Sequence, residues 1–82
     1  MFEVELREQV LEEDLPAMPA NIRRRVIRAI EARLATDPVQ YATRLRQSLH
    51  GLWKLRVDDF RVVFALETSR VRVWAIVHRR KA

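Results

Sequence analysis

The side chains of this chain that could do chemistry are basic and are concentrated in its C-terminal part: Lys54, Arg56, Arg61, His78 and Arg80. Guanidinium and ammonium groups bind phosphate and stabilise negative charge that develops during a reaction, and imidazole can transfer a proton near neutral pH. The sequence has no cysteine, which excludes thiol catalysis and disulfides. Chemistry on a polyanionic substrate is therefore the first hypothesis.

Three runs rich in Val, Phe and Trp predict an antiparallel β-meander over residues 52–57, 60–67 and 70–78. A tight turn between the first two strands places Arg56 directly opposite Arg61. Like charges placed so destabilise a sheet by up to about 1 kcal/mol unless an anion lies between them. The pair therefore favours a phosphate site, although each cation taken alone is more often solvated or ion-paired.

The alternation of side chains gives the meander an apolar face and a basic face. The predicted apolar face consists of Trp53, Leu55, Val57, Phe60, Val62, Phe64 and Leu66. The predicted basic face carries Lys54, Arg56 and Arg61, and the same pairing continued into the third strand sets Ile76 opposite Arg61 and adds Trp74, His78 and Arg80. Trp74 could stack on a nucleobase or simply cover the sheet.

Residues 1–51 supply the elements that must pack against this sheet. Alternating apolar and charged residues predict a short N-terminal strand, and helical spacing predicts a first helix that stops at Pro16 and a main helix from Pro19 to Asp37. One more helical turn is possible on Tyr41, Leu45 and Leu49, before Gly51 turns the chain into the sheet. The prediction is a single α+β domain over residues 1–82, in which two to three N-terminal helices pack on a small antiparallel sheet formed by the short N-terminal strand and the C-terminal meander.

Charge is unevenly distributed along the chain. The 82 residues carry a formal net charge of +5. Residues 1–20 hold six acidic residues against one arginine, a balance of −5, so the remaining 62 residues carry +10. The pI of about 11 favours a polyanionic partner. The main helix also carries Arg23, Arg24, Arg25, Arg28 and Arg33, a pattern that is most often a solvated face and less often a surface for RNA or a protein partner.

No apolar run approaches the roughly 20 residues needed to cross a bilayer, and the N-terminus lacks the pattern of a signal peptide. We therefore expect a cytoplasmic protein that has no membrane partner.

Several short segments, in this order, resemble the RelE/ParE toxin superfamily: Asp37-Pro38 at a helix end, Leu49-His50-Gly51, Leu55-Arg56-Val57, Phe60-Arg61-Val62-Val63-Phe64 and His78-Arg79-Arg80. The resemblance covers nearly the whole chain and is strongest over residues 49–80. It implies a RelE-like fold and the toxin of a type II toxin–antitoxin system. The implied activity is ribosome-dependent cleavage of messenger RNA without metal or other cofactor, and the implied partners are the ribosome, the message and a cognate antitoxin.

The resemblance also implies roles for individual residues. Lys54 would be the base or a charge stabiliser, Arg61 would hold the scissile phosphate, and Arg80 would assist the leaving oxygen as the ribose 2′-OH attacks phosphorus to give a cyclic phosphate. The other predicted RNA-binding residues are Arg56, Trp74, His78 and Arg79.

Two features depart from the family pattern. Leu52 stands where the best-known members carry a further lysine, and the C-terminal tyrosine that stacks on the substrate base in many members has no counterpart. Three alternatives therefore stay open: a ParE-like inhibitor of DNA gyrase with the same fold, a catalytically weakened RelE-like protein, and a plain nucleic-acid-binding domain.

Overall fold

A computed structural model describes residues 1–46 and 51–81 of the chain as a sheet with helices on one face. The segment Leu49-His50, part of the family resemblance, lies outside the described residues. Gly51, which follows it, has a φ of 64° and leads directly into a strand, as predicted. This left-handed conformation suits glycine because glycine has no Cβ.

The sheet has five strands: β1 (Glu3–Leu6), β2 (Thr43–Arg44), β3 (Leu52–Val57), β4 (Phe60–Leu66) and β5 (Arg70–His78). Their spatial order is β1-β5-β4-β3-β2. The predicted meander β3-β4-β5 is antiparallel, whereas β1 pairs with β5 in parallel. The predicted α+β fold is confirmed. The prediction that the N-terminal strand joins an antiparallel sheet was wrong, because β1 pairs with the distant strand β5 across the helices rather than through a hairpin, and the two run parallel.

Three helical elements connect β1 to β2. They are α1 (Val10–Asp14, a π-helical turn), α2 (Ala20–Ala29, continued by the π-helical residues Ile30–Leu34) and α3 (Pro38–Tyr41). The predicted first helix and main helix are both present. In α2 and its continuation, Val26, Ile30 and Leu34 are buried, as expected of one apolar stripe facing the sheet.

The further helical turn predicted on Tyr41, Leu45 and Leu49 forms only in part. Tyr41 ends α3, but the next residues are extended and Leu45 N–H donates to Leu52 O at 2.9 Å. The prediction was wrong at Leu45 because β3 offers an unpaired edge, and pairing with it satisfies backbone groups that a single helical turn leaves open. Leu49 lies outside the described residues.

The core lies between the helices and the predicted apolar face of the meander. The largest fully buried side chains include Phe64, Leu34, Leu55 and Val10, which come from both layers. The register between β3 and β4 is the predicted one, with Arg56 opposite Arg61 and Lys54 opposite Val63. The helices cover the apolar face of the β3–β4 hairpin, so the face that carries Lys54, Arg56 and Arg61 is left uncovered.

The register between β4 and β5 contains a β-bulge at Trp74. Phe64 pairs with Val73, but Val63 pairs with Ala75, so one extra residue is inserted into β5. The prediction that Ile76 lies opposite Arg61 is therefore wrong: Val77 lies there, and Ile76 is in the core. Beyond the bulge, every side chain of β5 therefore lies on the face of the sheet opposite to the predicted one.

In the part of the chain that the structure describes, no helix is both long enough and apolar enough to cross a membrane.

Candidate nucleic-acid site

An open cavity of about 390 Å³, here called the hairpin cavity, lies where the β3–β4 hairpin meets the residues after β5. It is lined by Arg56, Asp59, Phe60, Arg61, Arg79 and Arg80. Arg56 comes from β3 and Arg61 from β4, and the two are direct cross-strand neighbours. Four of the residues predicted to bind or act on RNA are thus brought together: Arg56, Arg61, Arg79 and Arg80.

The tip of the hairpin holds the C-terminal arginines in place. Asp58 has a φ of 52° at the turn, a conformation that aspartate tolerates better than most residues. Asp59 O accepts a hydrogen bond from Arg79 N–H at 2.8 Å, and its carboxylate Oδ1 lies 3.5 Å from Arg79 Nε. This double contact docks the 3₁₀ turn Arg79–Lys81 against the hairpin and brings Arg80 to the cavity.

His78 lies on the other face of the sheet from the hairpin arginines. It pairs with Phe60, and the two rings meet edge to face with centroids 5.1 Å apart. The predicted position of His78 on the basic face is wrong, because the bulge at Trp74 shifts the strand by one residue. Its Nδ1 accepts a hydrogen bond from Arg80 N–H at 3.2 Å, so it contacts the backbone that carries Arg80.

The basic side chains of the cavity differ in their electrostatic partners. Arg79 is paired with Asp59, as described above. By contrast, within the described residues no ion pair involves Lys54, Arg56, Arg61 or Arg80. The like charges of Arg56 and Arg61 therefore face each other without a neutralising carboxylate, an arrangement that an anion between them would relieve.

Lys54 shares the outer face of the sheet with Arg56 but does not line the hairpin cavity. It lies between Thr43 of β2 and Val63 of β4 and is half-buried. Residues two apart on one strand are about 7 Å apart along the strand. The long side chain of Lys54 is therefore within reach of a phosphate held at Arg56, although its ammonium is not part of the cavity wall.

Trp74 lies towards the opposite edge of the sheet. The Cζ atom of Arg7 lies 4.8 Å from the centroid of the Trp74 ring, which is cation–π geometry. Arg72 nearby is within ion-pair distance of Glu5 and Glu67. Trp74 does not line the hairpin cavity, so the structure does not bring this predicted RNA contact to the arginines.

Two residues of the site were not predicted. Asp59 was considered only as a turn residue and as one possible ion-pair partner of the cations, and Phe60 only as part of the apolar face, yet both line the hairpin cavity. The role of Asp59 depends on a contact with Arg79, twenty residues away in the sequence, for which the local pattern contains no signal.

Comparison of the sequence with models of known protein families gives one match. The family model described as the ParE toxin of type II toxin–antitoxin systems, parDE, matches residues 4–82. The chain therefore belongs to the ParE toxin family, within the RelE/ParE superfamily, and is a toxin of the type II toxin–antitoxin class. No curated protein sequence matches it.

Solved structures with the same fold include RelE toxins. The RelBE2 toxin–antitoxin complex of Mycobacterium tuberculosis matches with a TM-score of 0.86 at 21% identity, covering 95% of this chain and 98% of the other. The archaeal RelE–RelB complex of Pyrococcus horikoshii OT3 matches with a TM-score of 0.79 at 20% identity, covering 99% and 98%. The RelE-like fold predicted from the sequence is thereby confirmed.

Proposed function

We propose that this toxin is a ribosome-dependent endoribonuclease that cuts messenger RNA and is neutralised by a cognate antitoxin. The observation that carries the proposal is the cross-strand pair Arg56–Arg61, which lines an open cavity with Arg80 and has no ion-pair partner among the described residues. A pair of this kind costs stability in the free protein and is relieved by a bound phosphate.

The proposed reaction is an intramolecular transesterification of the message. The ribose 2′-oxygen attacks the adjacent phosphorus, the bond from phosphorus to the 5′-oxygen breaks, and the products are a 2′,3′-cyclic phosphate and a 5′-hydroxyl. Arg56 and Arg61 would hold the non-bridging oxygens, whose charge grows in the transition state. Lys54 would take the 2′-OH proton or add positive charge, and Arg80 would stabilise the leaving 5′-oxygen, which takes up a proton from water.

The ribosome enters the proposal as the scaffold that presents the message. The hairpin cavity is open, and its volume of about 390 Å³ lies near the lower end of the roughly 300–1,000 Å³ range of small-molecule sites, so it does not enclose a strand. Alignment of the 2′-oxygen with the scissile bond would then come from the ribosome-bound strand, since positioning supplies much of the rate in such reactions.

A cognate antitoxin is the proposed regulatory partner. Several neighbours with this fold were solved as complexes of RelE with RelB. An acidic segment of the antitoxin would meet the arginines of the hairpin cavity, and an extended or helical segment would cover apolar surface.

The test is expression of the toxin in growing cells without an antitoxin. We expect growth arrest with cleaved ribosome-bound messages, and we expect Lys54→Ala or Arg61→Ala to abolish both. Arg70→Ala is the matched control, because Arg70 does not line the hairpin cavity and instead forms an ion pair with Glu5 of β1. Arrest with DNA damage and intact messages would instead support a ParE-like inhibitor of DNA gyrase.

A further inference from the structure

A second open cavity, here called the helix groove, lies between α2 and the β3–β4 hairpin and has a volume of about 400 Å³. Three arginines of α2 and its π-helical continuation, Arg25, Arg28 and Arg33, line it together with Arg56. The small side chains of Ala29 and Ala32 also line it, so the groove is open enough for a polymer backbone to approach the helix.

Arg56 joins the helix groove to the hairpin cavity, because it lines both. The geometry between them is fixed by the hairpin tip, where Asp58 Oδ2 accepts a hydrogen bond from Arg25 Nη1 at 3.0 Å. The hairpin is thus attached to α2 on one side of its turn and to the C-terminal arginines on the other. The two cavities are therefore adjacent at Arg56, and together they are here called the path.

The positive charge of the chain is concentrated on this path. The two cavities are lined by seven different arginines and two aspartates, a balance of +5. This equals the formal net charge of the whole chain. The rest of the sequence is therefore neutral overall, and the excess positive charge belongs to the path alone.

We propose that the helix groove binds the RNA backbone on one side of the nucleotide held in the hairpin cavity, so that the toxin recognises a strand several nucleotides long. This inference rests on the proposed function and extends it to the polymer beyond the reacting phosphate. RNA is favoured as the occupant because the groove continues the cavity that holds the scissile phosphate, and because arginine forks match phosphate oxygens. Arg28 has no ion-pair partner among the described residues, and the Cζ atom of Arg33 lies 5.7 Å from the centroid of the Tyr41 ring.

The experiment measures binding of fully 2′-O-methylated oligoribonucleotides, which cannot be cleaved by attack of the 2′-oxygen. A trinucleotide probes the hairpin cavity alone, and a longer single strand probes both cavities. We expect Arg61→Gln to weaken both probes. The double variant Arg28→Gln/Arg33→Gln should weaken only the longer strand, by about tenfold at low salt.

The salt dependence provides a second measurement on the same variants. Each phosphate contact with a single strand contributes about 0.7 to the slope of log affinity against log salt. The double variant should therefore lower that slope by about 1.4 for the longer strand and leave it unchanged for the trinucleotide. The control is Arg24→Gln/Arg70→Gln, which removes the same charge from residues that line neither cavity and should leave the slope unchanged.

Three outcomes would overturn the inference. The longer strand could bind no more tightly than the trinucleotide, or the groove and control double variants could lose affinity equally. A polyglutamate peptide of equal charge could also bind as tightly as the longer strand and lose that affinity in the groove variant, which would make the groove a surface for acidic protein. These binding measurements require neither cleavage nor ribosomes. A failure of the nuclease proposal would therefore appear in the cleavage experiment and not in these measurements.

Discussion

At the scale of single residues, the molecule retains an unfavourable contact at the proposed phosphate site. Arg56 and Arg61 face each other across β3 and β4, and the two nearest aspartates in the sequence have other partners: Asp58 with Arg25 and Asp59 with Arg79. The two aspartates of the hairpin turn thus attach α2 and the C-terminal turn to the hairpin, and neither forms an ion pair with Arg56 or Arg61. Stability and phosphate binding should therefore conflict at this pair.

This conflict predicts that Arg56→Gln raises the free energy of unfolding by some tenths to about 1 kcal/mol, because it removes the cross-strand repulsion. The same change should lower affinity for RNA. Urea denaturation of the purified toxin measures the first effect, and binding of the uncleavable trinucleotide measures the second. Arg70→Gln, which loses only an exposed ion pair with Glu5, should leave both nearly unchanged. A destabilised Arg56→Gln protein would contradict the argument.

At the scale of elements, the sequence predicted the arginine pair because a two-residue turn fixes the β3–β4 register. It failed for β5, because the sequence contains no sign of the bulge: the apolar alternation of Val71 and Val73 continues through Ala75 and Val77. In the structure the buried residue after Val73 is Ile76, a three-residue step that arises because one residue bulges out. Strict alternation assigned His78 to the wrong face for this reason.

Other features of the site were beyond local sequence patterns. A strand of two residues, Thr43–Arg44, has no periodicity to detect, and its pairing with β3 depends on the edge that the folded sheet leaves open. The contact between Asp59 and Arg79 forms only when β5 returns along β4 to the hairpin tip. The residue types of the site could thus be predicted, but the docking of its C-terminal part could not.

A contact between α1 and β5 gives a prediction at the same scale. β1 pairs with β5 only as far as Val73, and beyond it the carboxylate of Asp14 accepts a hydrogen bond from Ile76 N–H at 2.8 Å. Asp14→Ala should lower the free energy of unfolding by about 1–3 kcal/mol, because it leaves a half-buried N–H unsatisfied.

Asp14→Asn is the matched variant, since its amide oxygen can still accept the hydrogen bond, and it should retain most of the stability. Urea denaturation of the two variants beside the parent protein measures the difference. Equal stability of Asp14→Ala and the parent would show that Asp14 does not secure this edge of β5.

At the scale of the whole molecule, the two ends of the sheet differ in electrostatics. On the side of β1, the arginines of β5 are paired with Glu5 and Glu67, whereas on the side of the hairpin the arginines outnumber their carboxylate partners. A polyanion approaching the toxin is therefore directed to the hairpin and the adjoining helix groove.

Ribosome-dependent cleavage at the hairpin cavity is measured with purified toxin, purified ribosomes and a defined message, with the ends of the RNA products mapped. We expect cuts in the ribosome-bound message that leave a 2′,3′-cyclic phosphate, no cuts in free message, and a rate lower by roughly 100-fold or more for Arg61→Gln. Intact message in the presence of ribosomes, or equal cleavage by Arg61→Gln, would show that the hairpin cavity is not the site of such a reaction.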